Sequence, residues 1–467
     1  MTSPARLLVL VLLCCFGASC GWKSCGIDEG GGICPEDNTC CSTGAEGVST
    51  CVTAQRNGTS SCCTDDGTGL TGCRPGYRCT SSPDDSGESH YWCELIDKND
   101  DEEPALLPRY KLCNVPEEAI KLQTFDVVPQ LPRMAYFSSM GAIDDQSEKV
   151  KLQQRKVSQI MIVVHGSGRS AADYLCCGIS SVPEERRAEG SVMVISPFFM
   201  TPGDEPTDEQ TNTTFLRWYE DGPIPHTWRY GADSVVGNIS SYSVMDSMVE
   251  RILADFGRFP SLKRIIVTGH SAGGQLTHRW ALTSNSPIWS PSFFGRHVHL
   301  RVVPANPRSF CYLDNRRYEN HTLRVPSQER ISKCPTYNTW EWGLDEGGRL
   351  PTPYFDRARS SGKEALVERY AYRDIVYLAG ELDILPVRSE CEDDDFQGKN
   401  RRERSSRFFR SLKEVYGREV HRRLLVRNVP HDHCLLYQSD AGQQALFGAP
   451  TEIVTASESP NSNLDTL

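Results

Sequence analysis

A serine at the centre of a Gly-x-Ser-x-Gly sequence is the residue in this chain best suited to nucleophilic chemistry. Ser271 lies in Gly269-His-Ser-Ala-Gly273, between the β-branched run 264–268 and residues 275–282, whose apolar positions have helical spacing. A tight strand-to-helix turn strains the serine backbone and exposes its hydroxyl oxygen. The N–H of Ala272 would lie at the helix start, where partial positive charge stabilises an oxyanion. The pattern predicts a nucleophile for acyl transfer, and a serine-capped helix is the alternative interpretation.

A serine hydroxyl needs a base that takes its proton and an acid that orients the base. Asp383 follows the predicted strand 374–379 and is our candidate acid, with Glu381 as the alternative. His431 follows the last predicted strand, 422–427, and is our candidate base, with His433 as the alternative. Each carboxylate could instead be a solvated loop residue, and the remaining histidine a polar loop residue.

An oxyanion needs a second N–H donor besides that of Ala272. The predicted strand 158–164 ends at His165-Gly-Ser-Gly168, so we expect Ser167 or Gly168 to supply it; an ordinary glycine turn is the alternative. We expect no metal and no cofactor, because the histidines are scattered and the cysteines are expected to form disulfides.

Strand and helix patterns alternate after about residue 113. Strands are predicted at 158–164, 191–196, 264–268, 298–304, 374–379 and 422–427, and helices at 242–256, 275–282 and 401–416. This alternation predicts an α/β fold with a mostly parallel sheet, flanking helices and a site at the carboxyl ends of the strands. The segment 201–237 carries Trp218, Tyr219, Trp228 and Tyr230, which would form either a cap over the site or a small satellite core.

The N-terminus has the pattern of a secretory signal peptide. Arg6 precedes the apolar run 7–16 and the small residues 17–19. Later segments lack 18 consecutive apolar residues, so we expect no membrane span. With the sequons at Asn57, Asn212, Asn238 and Asn320, this favours a secreted, extracellular glycoprotein. The net charge of −11, without a dominant basic run, argues against a nucleic-acid partner.

The 20 cysteines are expected to form disulfides in that oxidising compartment. Twelve run from Cys20 through Cys113, both included, and six lie beyond, so parity predicts that Cys113 pairs back with the N-terminal cysteines. A bridge between Cys391 and Cys434 would join the loop of the candidate acid to that of the candidate base.

Residues 20–96 resemble a granulin module. The resemblance rests on Cys34-Pro, Cys40-Cys41, Cys62-Cys63 and the run from Cys73 through Cys79 to Cys93, although Cys51 and Cys73 lack the neighbours of complete doublets. It implies short hairpins stacked along a disulfide ladder; an unnamed disulfide-rich scaffold is the alternative. The predicted layout is a signal peptide (1–19), this module (20–96), an acidic linker (97–112), a larger domain (113–448) and a disordered tail (449–467).

The larger domain resembles the α/β-hydrolase superfamily, and more narrowly a secreted, uncharacterised hydrolase family best known from fungi. The matching stretches are residues 165–174, 269–274, 305–310, 334–344 and 397–404. The resemblance implies an α/β-hydrolase fold and a serine-hydrolase mechanism. In that family a His-Asp pair follows the last strand, which supports His431, but the glycines that usually precede the pair are missing here, which keeps His433 open.

The sequence therefore predicts a secreted serine hydrolase, and most specifically a carboxylic-ester hydrolase. A serine peptidase is the first alternative, because the triad alone does not distinguish an ester from an amide substrate. A catalytically silent extracellular binding protein is the second. In either case the cysteine-rich module is expected to bind an extracellular protein or carbohydrate.

Overall fold

The computed structural model describes residues 121–204, 214–219, 227–290, 292–319, 322–347, 352–387 and 396–449, together with the backbone of six short strands between residues 22 and 95. The chain divides into two compact units. One comprises residues 1–111 and 384–387, and the other residues 112–383 and 388–467.

The first unit contains three antiparallel strand pairs. β1 (Trp22–Ser24) pairs with β2 (Ile33–Pro35), β3 (Asn38–Thr43) with β4 (Val48–Thr53), and β5 (Tyr77–Pro83) with β6 (Ser89–Leu95). Cys40 is opposite Cys51 in register, and Cys79 is opposite Cys93. The side chains of these strands lie outside the described residues, so the granulin-like disulfide ladder stays a prediction, as do the signal peptide and the tail beyond residue 449.

An eight-stranded sheet organises the second unit. Its strands are β7 (Gln123–Phe125), β8 (Met134–Ser138), β9 (Gln159–Val164), β10 (Val192–Pro197), β11 (Arg264–His270), β12 (His299–Ala305), β15 (Asp374–Gly380) and β16 (Arg422–Val426). Their order is β7-β8-β10-β9-β11-β12-β15-β16. The six strands from β10 to β16 are parallel, and β8 and β7 continue the sheet antiparallel. A separate hairpin joins β13 (Arg317–Glu319) to β14 (Thr322–Arg324).

Helices cover both faces of this sheet. They are α1 (Glu148–Gln154), α2 (Ala171–Ser181), α3 (Glu184–Glu189), α4 (Ser241–Ala254), α5 (Ala272–Thr283), α6 (Gln328–Lys333), α7 (Pro353–Arg359), α8 (Lys363–Ala371), α9 (Arg401–Tyr416), α10 (His433–Gln438) and α11 (Asp440–Phe447). Alternate residues of β9 show why two layers are needed. Ile160 and Ile162 pack into one core with α4, α5 and α9, whereas Met161 and Val163 pack into the other with α2, α10 and α11.

This architecture confirms the predicted α/β fold with a mostly parallel sheet and flanking helices. The six strands and three helices predicted from the sequence are all present, each within a few residues of its predicted bounds. None of the helices in the described part of the chain is long and apolar enough to cross a membrane.

The aromatic residues of segment 201–237 belong mainly to the core. Trp218, Trp228 and Tyr230 are buried, and both tryptophans join the larger apolar cluster. Trp228 stacks on Phe199 with the ring centroids 5.4 Å apart. Tyr219 differs, because 54% of its surface is exposed. A satellite core is therefore wrong for the two tryptophans, which pack into the main core of the sheet.

The cysteines beyond Cys113 depart from the predicted pairing. Cys434 is bonded to Cys177, with the Cα atoms 5.0 Å apart, so the predicted bridge between Cys391 and Cys434 is wrong. Cys311 is a buried free thiol. The six distal cysteines therefore do not all pair among themselves, and the parity argument for Cys113 fails. Burial raises the pKa of the Cys311 thiol to about 12, so it stays protonated and packs as a small apolar side chain.

Candidate active site

Ser271 occupies the tight turn between β11 and α5. Its backbone has φ 56° and ψ −113°, a strained conformation for a residue with a side chain. The flanking glycines are required by close approach: a Cβ at Gly269 would lie 2.4 Å from the carbonyl oxygen of Gly273, and a Cβ at Gly273 would lie 2.3 Å from that of Val164. The Ser271 N–H donates to the Ala305 carbonyl at 3.0 Å, which fixes the turn against β12. Ser271 as a whole is half-buried.

The N-terminus of α5 directly follows Ser271. The helical hydrogen-bond pattern begins with the Gln275 N–H, which donates to the Ser271 carbonyl at 3.0 Å. The N–H groups of Ala272, Gly273 and Gly274 come before that bond and have no acceptor within the helix. Ala272, predicted as an oxyanion donor, therefore has its N–H at the positive end of the helix dipole, beside Ser271.

His431 and Asp383 meet at the carboxyl ends of neighbouring strands. Asp383 follows β15, His431 follows β16, and Nδ1 of His431 lies 2.7 Å from Oδ2 of Asp383. Asp383 is 0% exposed, and the backbone N–H of Arg402 donates to the backbone carbonyl of Asp383 at 3.1 Å. The guanidinium of Arg401 lies 3.5 Å from its second carboxylate oxygen. Sequence reasoning missed Arg401 in this role, because helix α9 has many other basic residues.

The two alternative residues have other partners. Glu381 Oε2 accepts the Asn428 N–H at 3.1 Å and so braces the loop after β16. His433 stacks on Tyr174 with the centroids 3.9 Å apart, and its Nε2 lies 3.2 Å from Oδ2 of Asp173. The structure therefore brings together Asp383 and His431, whereas Glu381 and His433 serve other contacts.

The environment of His431 favours the neutral imidazole. Burial lowers the pKa of His431, the hydrogen bond to Asp383 acts in the opposite direction, and the positive charge of Arg401 lowers it further. A neutral imidazole that donates from Nδ1 to Asp383 keeps a lone pair on Nε2, as a general base must. The ring also packs beside His270, the residue before Ser271, at a centroid distance of 4.3 Å.

The predicted oxyanion turn lies against Ser271 through Gly166. A Cβ at Gly166 would lie 3.7 Å from the Ser271 Cβ, an ordinary contact distance, so the turn lies directly beside the serine. Ser167 and Gly168 follow and are exposed, and a Cβ at Gly168 would have no neighbour within 4 Å. His165 fixes the turn from behind: its Nε2 accepts the Phe199 N–H at 3.0 Å, which leaves Nδ1 to donate to the Gly166 carbonyl at 2.8 Å.

Tyr174 packs against Gly166 of this turn and contacts His270, and sequence reasoning missed both residues. The Tyr174 hydroxyl lies 3.0 Å from His270 Nδ1 and would lie 2.8 Å from a Cβ at Gly166. Burial raises the pKa of Tyr174 well above its usual value, with a smaller opposing effect from the Gly166 N–H, so the hydroxyl stays protonated. For His270, burial lowers the pKa of the imidazole well below its usual value, so the ring stays neutral. Their contact spans 96 residues and leaves no local sequence signal.

One cluster of metal-ligand residue types occurs in the described part of the chain. It comprises Asp173, Cys177, His433 and Cys434. Its two cysteines are bonded to each other, and zinc binds thiolates rather than a disulfide. Of the four predicted glycosylation sites, Asn238 is exposed, whereas Asn57, Asn212 and Asn320 lie outside the described residues.

The comparisons with known proteins find similarity only among solved structures. No family model matches the sequence, and no curated protein matches it. Poly(aspartic acid) hydrolase-1 from Sphingomonas sp. KT-1 is 15% identical, with a TM-score of 0.43 over 70% of this chain and 97% of that one. LpqC, a poly(3-hydroxybutyrate) depolymerase from Bordetella parapertussis, is 17% identical, with a TM-score of 0.42 over 69% and 88%. Est1E from Butyrivibrio proteoclasticus is 10% identical, with a TM-score of 0.32 over 69% and 96%. The TM-scores are below 0.5, so the fold and the site rest on the geometry described above.

Proposed function

We propose that this chain is a secreted serine hydrolase of the α/β-hydrolase type that acts on carboxylic esters. The observation that carries the proposal is the pair of His431 and Asp383, which are 2.7 Å apart. They lie at the carboxyl ends of the parallel strands, where Ser271 occupies its strained turn. In an α/β-hydrolase the nucleophile, acid and base follow parallel strands in that chain order. Here β11, β15 and β16 lead to Ser271, Asp383 and His431.

The proposed reaction is acyl transfer in two steps. The Ser271 oxygen attacks the ester carbonyl while His431 accepts its proton, and the protonated imidazole then gives that proton to the departing alcohol. Asp383 holds the imidazole in the tautomer that leaves Nε2 free. The N–H of Ala272, with that of Ser167 or Gly168, stabilises the oxyanion. Water then attacks the acyl-enzyme while His431 accepts its proton, and the protonated imidazole returns that proton to the Ser271 oxygen as the acid product leaves.

Secretion and the role of the cysteine-rich module remain part of this proposal. The apolar run 7–16 and the dense cysteines of residues 20–96 support export to an oxidising compartment. We propose that the module binds an extracellular protein or carbohydrate and so retains the hydrolase near its substrate. Peptide hydrolysis would use the same three residues, so a comparison of ester and amide substrates decides between the two reactions.

Ser271→Ala tests the proposed nucleophile. The wild type is expected to hydrolyse p-nitrophenyl acyl esters, and the variant to retain its fold while losing at least about 10³-fold in kcat, because alanine lacks the hydroxyl oxygen that forms the acyl-enzyme. Turnover is measured by release of p-nitrophenolate, and folding by circular dichroism. Amide turnover without ester turnover would favour the peptidase, and unchanged ester turnover in the variant would contradict the proposal.

The pH dependence of kcat/KM tests the proposed base. Burial places the pKa of His431 below its usual value of 6.5, and the base must be neutral. Activity is therefore expected to rise with pH along an acid limb whose midpoint lies below 6.5.

Two histidine variants serve as a matched pair for this test. His431→Gln should abolish the acid limb together with the turnover. His433→Gln should retain turnover and move the midpoint slightly upward, because the charge of His433 contributes to the lowered pKa of His431. The opposite result would make His433 the base.

A further inference from the structure

Several buried nitrogen atoms around the site have no hydrogen-bond partner in the described part of the chain, and three of them are side-chain donors on helix α5 or next to it. They are Nε of Arg229, Nε2 of Gln275 and Nδ2 of Asn306, and none has a hydrogen-bond partner within the described part of the chain. The exposed fractions of these residues are 4%, 1% and 1%. An unsatisfied buried donor destabilises the fold, so three of them together need an explanation.

The hydrogen bonds of Gln275 and Asn306 fix which end of each amide is left over. Gln275 Oε1 accepts the Ser309 hydroxyl at 2.9 Å, and the Ser309 oxygen in turn accepts from Arg279 at 2.9 Å. Asn306 Oδ1 accepts the Gly380 N–H at 2.8 Å. The atoms without partners in these two residues are therefore the amide NH₂ groups, so all three unsatisfied groups are donors, which an acceptor would satisfy.

These donors lie on elements that adjoin the turn of Ser271. Gln275 is one turn along α5 from Ser271, and Asn306 directly follows the carboxyl end of β12. Close packing joins the two, because a Cβ at Gly274 would lie 2.5 Å from the Ala305 carbonyl oxygen. Arg229 belongs to a short 3₁₀ segment, Thr227–Tyr230, that packs against α5.

The same region carries an excess of positive charge. The Tyr230 ring has the guanidinium of Arg229 4.7 Å from its centroid and that of Arg279 5.3 Å away. Burial raises the pKa of Tyr230; Arg229, Arg279 and Arg308 lower it, and Glu341 is the anion that acts against them.

Arg279 and Arg229 differ in the hydrogen bonds that their guanidinium groups make. Arg279 donates to the carbonyls of Glu341, Gln275 and Ser309 and to the Ser309 hydroxyl. Nε of Arg229, by contrast, has no hydrogen-bond partner within the described residues. A carboxylate would satisfy this donor, because its planar geometry matches that of a guanidinium.

We propose that Arg229, with the amide groups of Gln275 and Asn306, forms a carboxylate-binding subsite, and that the substrate is an ester whose acyl part carries a second, free carboxylate. The inference rests on the proposed hydrolase function, because it places this carboxylate along α5 from Ser271. The subsite supplies donors and positive charge, so an acyl chain that ends in a methyl group leaves these groups unsatisfied.

Two esters of equal chain length test the proposal. They are the mono-p-nitrophenyl ester of glutaric acid and p-nitrophenyl pentanoate. The wild type is expected to show at least about tenfold higher kcat/KM for the glutarate ester, and Arg229→Gln should lower that value by about 30-fold or more while changing the pentanoate value less than about threefold. Lys156→Gln, which removes an exposed charge, is the matched control and should change neither value.

Direct binding separates this inference from the proposed function. Free glutarate should bind the wild type in titration calorimetry and inhibit pentanoate turnover competitively, and Arg229→Gln should bind it at least about 30-fold more weakly. Should that variant fail to fold, the wild type decides: equal kcat/KM for the two esters, or no binding of glutarate, overturns the subsite. Loss of pentanoate turnover in Ser271→Ala reports the hydrolase by itself, whichever way the glutarate results fall.

Discussion

Replacing Asp383 by asparagine is expected to lower kcat for ester hydrolysis by about 10³–10⁴-fold. Asp383 is fully buried, and its Oδ2 accepts the Nδ1 proton of His431 at 2.7 Å. An amide NH₂ in that place would donate to Nδ1 and shift the imidazole proton to Nε2, the atom that must receive the proton of Ser271. Steady-state kinetics with p-nitrophenyl esters measure the loss, and KM should change little because Asp383 is fully buried and acts through His431.

Glu381→Gln is the matched control for this substitution. Glu381 lies two residues before Asp383, and its carboxylate accepts the backbone N–H of Asn428. A glutamine oxygen can still accept that N–H, so kcat should change by less than about threefold. A large loss in Glu381→Gln with a small one in Asp383→Asn would make Glu381 the acid and contradict the assignment.

Replacing Gly273 by alanine is expected to destabilise the second unit by more than about 3 kcal/mol and to abolish turnover. The added Cβ would lie 2.3 Å from the Val164 carbonyl oxygen and 2.6 Å from that of His165. Both are backbone atoms at the end of β9, in the middle of the sheet, and they move only if the sheet or the turn opens. Either movement shifts the Ala272 N–H away from the position in which it would stabilise the oxyanion. Denaturant unfolding and ester turnover measure the two effects.

Gly257→Ala is the control for the cost of a glycine substitution as such. A Cβ there would meet only Asp255 Oδ1, at the ordinary contact distance of 3.8 Å. The free energy of unfolding should stay within about 0.5 kcal/mol of wild type, and turnover should be unchanged. Equal stability of the two variants would mean that β9 and α5 are not packed as closely as described.

Local signals allowed much of the fold to be predicted. The strands with continuous β-branched runs were found because the parallel sheet is buried on both faces, which removes polar residues from the pattern. Helix α9 was predicted with its bounds Arg401–Tyr416. The sequence marks both of its ends, since the Asn400 side chain accepts the Glu403 N–H and Gly417 adopts φ 66°.

Long-range contacts account for what the sequence did not predict. The short antiparallel strands β7 and β8 have no clear alternation and depend on pairing with the edge at β10. The Cys177–Cys434 disulfide spans 257 residues, and spacing alone does not specify connectivity. The site shows the same difference. Ser271 lies in a local motif that the sequence displays, whereas Tyr174, Arg401 and the donors of the proposed subsite reach the site only through contacts between distant parts of the chain.

Mapping the covalent adduct of a fluorophosphonate probe is the most direct test of the central claim, that Ser271 is a nucleophile activated by His431 and Asp383. The folded wild-type protein is labelled at neutral pH, digested and analysed by mass spectrometry, alongside Ser271→Ala and Asp383→Asn. We predict a single adduct on Ser271, none in Ser271→Ala and a much slower reaction in Asp383→Asn. An adduct on another residue, or no adduct in the folded wild type, would contradict the account.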